Sequence, residues 1–139
     1  MRGIVQPKIL LYILWLGDVL TLAIVTAYGF ATHGELAQAG TRMLTTFLPL
    51  LIAWLVVAGP GNLLQLTYVF QARHLWRPVW AMILAAPLAG LIRSWMLGNR
   101  PVIPVFILVL MGVSTAAILA WRAIFLFLFA RKTQKVTYG

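Results

Sequence analysis

The chain has 139 residues, of which 63% are hydrophobic and only 9% charged, and its mean hydropathy is +0.97. A soluble domain is about half apolar and about a quarter charged, so this composition excludes an ordinary water-soluble fold and leaves room for a handful of membrane spans. With no cysteine there are no disulfides or thiolate metal sites, and a net charge of +9 placed at the ends of apolar runs fits membrane topology, not nucleic-acid binding.

Arg2 and Lys8 precede the first apolar run, residues 9–30, which is broken only by Asp18 and small polar residues. The run is too long for a signal-peptide core and carries an acid near its middle, so it predicts a retained transmembrane helix. Residues 31–42, with His33, Glu35 and Gln38, are polar and small and form the first loop. The second span covers 43–58, about 16 residues and about 24 Å, and is stopped by Gly59-Pro60-Gly61-Asn62. A short interfacial helix over 62–72 is expected to follow, with Arg73, Trp76 and Arg77 as anchors at the membrane surface.

The third span is read over 79–97 and the fourth over 102–124, joined by Gly98-Asn99-Arg100-Pro101. The apolar stretch continues from Val102 to Phe129, about 42 Å, longer than a hydrocarbon core of about 30 Å. Arg122, beside Trp121, is therefore expected at the inner interface as an anchor. Arg2, Lys8, Arg73, Arg77, Arg131, Lys132 and Lys135 fall on one side of a four-span topology, and Arg42 and Arg100 on the other. The positive-inside rule then places both termini in the cytoplasm, with the inner basic flank attracting anionic lipid headgroups. The fold class is all-α, a four-helix transmembrane bundle forming one integral domain of the inner membrane.

Two constellations stand out. Ala86, Gly90 and Ser94 line one face of the third span, and Gly112, Ala116 and Ala120 line one face of the fourth. Small residues at this spacing let helix backbones approach closely in lipid. Asp18 and Arg93 are charges inside spans, where a charge is costly and usually faces the bundle interior. Counting helical rise from the inner surface puts them about 7 Å apart in depth, within reach of an extended arginine, so an Asp18–Arg93 pair is expected. Pro87 leaves the carbonyl of Ile83 without its helical partner and is read as a kink. His33 and His74 fall in loops, away from the depth a haem or pigment ligand needs. No nucleophile–base arrangement, phosphate loop or metal motif appears, so no catalytic, cofactor-binding or metal residue is assigned and no enzyme activity is expected.

Gly17-Asp18, Gly29 followed by His33-Gly34-Glu35, Pro49-Leu50-Leu51-Ile52-Ala53-Trp54, Pro87-Leu88-Ala89-Gly90-Leu91-Ile92-Arg93, Phe106-Ile107 and Trp121-Arg122 occur in this order. In order and spacing they resemble a small family of four-span prokaryotic membrane proteins known as domain of unknown function 3054, over about Trp15 to Ile124. Phe30 departs from the pattern, which has a basic residue after the glycine. The resemblance implies a four-helix membrane fold without an established activity, and Asp18, His33, Arg93 and Arg122 are the polar positions that fit it. The function expected is a non-enzymatic accessory or assembly subunit of a larger membrane complex, photosynthetic or respiratory, packed against other membrane subunits. The alternative is a small oligomeric transporter or channel working through Asp18 and Arg93.

Overall fold

A computed structural model describes residues 6–34 and 36–137, with side-chain surroundings for residues 6–34 and 37–130. Arg2 and Glu35, and the side chains of Arg131, Lys132 and Lys135, lie outside the described residues. Among the described residues, four helices are long and apolar enough to cross a membrane. Helix α1 is Pro7–Thr32, α2 is Gly40–Ala58, α3 is the short Leu66–Val69, α4 is Arg77–Met96 and α5 is Pro104–Thr137.

Prolines start these helices where a missing N–H costs nothing: Pro7 opens α1, Pro78 lies in the first turn of α4, and Pro104 begins α5. Within α1 the hydroxyls of Thr21 and Thr26 donate to the carbonyls of Gly17 (2.6 Å) and Leu22 (2.9 Å), so neither is left unsatisfied in an apolar setting. Helix α1 ends where Gly34 takes a left-handed φ of +67°, and the α4–α5 turn is made by two such residues, Gly98 at 75° and Asn99 at 59°. Ser94 Oγ donates to the Arg100 carbonyl and ties this turn to α4.

Helix α1 packs on α2 and α5, and α4 packs on the same two, so α1 and α4 occupy opposite corners of the bundle. The closest pair is α2 with α4. Ala81, Ala85 and Ala89 of α4 are buried there against Leu50, Ala53 and Trp54 of α2. Pro49 and Trp54 are fully buried in α2. Gly90 meets α5, where an added Cβ would come within 2.7 Å of Ile107 Cδ1.

The bundle differs from the sequence expectation at three places. Helix α5 does not stop at residue 124 but continues as one helix to Thr137, about 51 Å of rise, since no residue after Pro104 breaks it. The expected interfacial helix over 62–72 shrinks to α3 and a 3-10 turn at Ala72–His74. Asn62 adopts a left-handed φ of 55°, the Leu63 N–H bonds back to the Ala58 carbonyl, and Leu63 folds into the core instead of lying on a surface. Third, Gly112, Ala116 and Ala120 face outward, while the buried face of α5 is Ser114, Ile118, Arg122 and Phe125. Helix α5 thus meets α4 through larger side chains, and the small-residue contact comes from α4 alone.

Candidate functional site: a buried ion pair and a distal cleft

Asp18 lies about 16 Å along α1, and Arg122 about 27 Å along the antiparallel α5. The two meet inside the bundle at 1% and 2% exposure. Arg122 Nε donates to Asp18 Oδ1 at 3.2 Å and Nη2 donates to Oδ2, the two-pronged geometry that suits a guanidinium and a carboxylate. Arg122 Nη1 donates to the Leu63 carbonyl at 2.6 Å, which is why the loop after α2 folds inward. Trp54 Nε1 donates to Asp18 Oδ2 at 3.3 Å, and the Trp54 ring lies 5.9 Å from the Arg122 guanidinium carbon. One cluster therefore ties α1, α2, α5 and the α2–α3 loop together.

Beside it, Trp121 Nε1 donates to the Leu14 carbonyl at 3.3 Å. The indole lies directly over Gly17, where an added Cβ would fall 1.9 Å from a ring carbon. Only glycine lets α1 and α5 come this close. Phe125 continues the contact, stacked against Phe70 and tilted against Trp121.

This corrects two expectations. The partner of Asp18 is Arg122, not Arg93, because a bidentate arginine on the adjacent α5 occupies both carboxylate oxygens while α4 lies across the bundle. Arg122 is a buried charge and not an interfacial anchor, because Leu63 and Trp54 cover it and Asp18 neutralises it.

Arg93 belongs to a separate cluster at the distal end of the bundle, opposite Pro7. Its Nε donates to Thr46 Oγ1 at 3.3 Å, Thr46 Oγ1 donates to the Arg42 carbonyl at 3.2 Å, and the guanidinium carbon lies 5.2 Å from the Phe106 ring centre. An apolar cleft of about 370 Å³ opens here between α1, α2, α4 and α5, with His33, Arg42 and Arg93 among its walls. The four polar positions read from the sequence thus divide in two, Asp18 with Arg122 in the core and His33 with Arg93 at the cleft. His33 itself is exposed at the end of α1. At the other end of the molecule His74 packs edge-on against Tyr68, over whose ring Arg77 also lies at 4.3 Å. Among the described residues no three His, Cys, Asp or Glu side chains come together as a metal-binding group.

A family model described as protein of unknown function, DUF3054, matches residues 15–125. The chain belongs to the DUF3054 family. No curated protein and no solved structure matches it. The matched region begins just before Gly17 and ends at Phe125, so both partners of the ion pair and the Gly17–Trp121 contact lie within the DUF3054 segment.

Sequence reading did not find Trp54, Leu63 or Thr46 as partners. Trp54 carried a signal: an indole N–H in mid-span needs an acceptor, and Asp18 was the only acid in any span. Leu63 carried none, since its contribution is a backbone carbonyl placed by the conformation of a turn.

Proposed function

We propose that this DUF3054 protein is a non-enzymatic accessory or assembly subunit of a larger complex in the inner membrane, photosynthetic or respiratory, docked through the outer face of α5. The observation that carries this reading is the direction of that face. Ala116 and Ala120 are exposed, nothing lies within 4 Å of a Cβ added at Gly112, and 17% of the membrane stretch of α5 is buried, against 33%, 33% and 39% in the other spans. Lipid offers no hydrophobic drive for helix association, so a close-packing groove turned outward is useful to a foreign helix and idle in a monomer. Both termini lie on the cytoplasmic side in this reading, with Arg73 and Arg77 near anionic headgroups.

The transporter or channel alternative keeps Arg93, which borders a cleft, but loses Asp18, whose oxygens are held by Arg122 and Trp54. The test is to extract the protein from its native membrane in mild detergent and measure the mass of the particle that carries it. Migration with larger, different subunits is expected. A homo-oligomer would reject the accessory role and return attention to transport through Arg93.

A further inference from the structure

The distal cleft has a charge problem that the rest of the chain does not solve. The sequence holds two acids, and Asp18 is committed to Arg122 deep in the bundle. Arg42, Arg93 and Arg100 all stand at the distal end, so they face at most one carboxylate, that of Glu35. Whatever Glu35 does, this end keeps a net positive charge. Arg93 is held by a neutral hydroxyl and a neutral ring, which aim the guanidinium without neutralising it. It is half-buried about one turn from the end of α4, so its head is only partly solvated there.

The cleft beside it is apolar along most of its length. Val25 lines it from α1, Val109 and Val113 from α5, and the last two are also exposed on the bundle surface, so the cleft opens sideways toward lipid. A volume of about 370 Å³ holds about a dozen groups the size of a water molecule, at about 30 Å³ each. That accommodates an anionic head with most of one short chain. A second hollow of about 160 Å³ lies on the other side of Arg93 and Phe106.

We infer that the distal cleft binds a single-chain amphiphile with an anionic head, such as a fatty-acid carboxylate, which pairs with Arg93 while its tail runs along Val25, Val109 and Val113 toward the bilayer. The pairing supplies the charge partner that the chain lacks, and an arginine fork suits a two-oxygen head. This inference does not depend on the accessory role.

The test uses the full chain in a non-ionic detergent, titrated with dodecanoate, with the neutral dodecanol and with a two-chain phosphatidylglycerol, read by native mass spectrometry and by thermal stability. Dodecanoate is expected to bind one per chain and raise the melting temperature, with dodecanol at least about tenfold weaker because it cannot form the charge-assisted pair. Arg93→Gln is expected to lose at least about tenfold in dodecanoate affinity, and Arg93→Lys to recover only part of it. Gly29→Phe supplies a second variant that leaves Arg93 in place: nothing lies within 4 Å of an added Cβ there, so the ring enters the cleft and displaces the tail. Equal binding of dodecanol and dodecanoate would overturn the inference. So would undiminished binding by Gly29→Phe, or binding of phosphatidylglycerol alone.

Discussion

At the scale of single residues, Asp18 accepts from two nitrogens of Arg122 and from the Trp54 indole, and each donor comes from a different helix than its own. Hydrogen bonds to a charged group contribute about 1.5–3 kcal/mol. Trp54→Phe removes this bond and also leaves the space of the second indole ring unfilled, so it is expected to lower stability by at least about that amount, measured as a fall in melting temperature in detergent. Gly17→Ala drives a methyl group into Trp121 and is expected to cost about 1–3 kcal/mol by overpacking. The same substitution in a Trp121→Ala background is expected to be neutral or stabilising by up to about 1 kcal/mol, the helix preference of alanine over glycine, which separates the steric effect from propensity. That Asp18 needed a buried cation was legible in the sequence, because a charge in mid-span demands a partner. Which arginine supplied it was not legible. Depth counting ranks partners along the membrane normal and is blind to which helices are neighbours around the bundle.

Among the elements, α4 and α5 carry the same small-residue spacing and use it differently. Ala86 and Gly90 are buried, while Gly112, Ala116 and Ala120 look outward. Gly90→Leu is expected to destabilise the monomer, because the leucine has no space beside Ile107. Ala116→Leu is expected to leave the melting temperature of the isolated chain unchanged and to release it from its native particle, a difference visible when both are measured on the same preparation. Spacing alone could not tell these faces apart, since a period of four reports a groove and not the direction it points. Arg122 looked like a membrane edge, and edges are inferred from charge, yet this charge is buried in the core. The four spans themselves were legible because each needs about 20 apolar residues, and that signal survives any arrangement of the helices.

For the molecule as a whole, topology and core depend on each other. In the proposed topology, with both termini inside, Gln71 is expected in the cytoplasm and Asn99 outside. The natural chain has no cysteine, so Asn99→Cys and Gln71→Cys each introduce a single label site. A membrane-impermeant thiol reagent applied to intact cells is expected to modify the first and spare the second. The Asp18–Arg122 pair then holds α1 to α5, draws in the α2–α3 loop through Leu63 and engages α2 through Trp54. Breaking such a pair from one side strands a buried charge at a cost of about 3–5 kcal/mol, whereas removing both partners strands none. The most direct measurement is therefore a double-mutant cycle on the full chain in detergent, comparing the unfolding stability of Asp18→Asn, Arg122→Gln and the double variant. A structural pair predicts two strongly destabilised single variants and a double variant that loses clearly less than their sum. Single variants within about 0.5 kcal/mol of the natural chain, or costs that simply add, would contradict it.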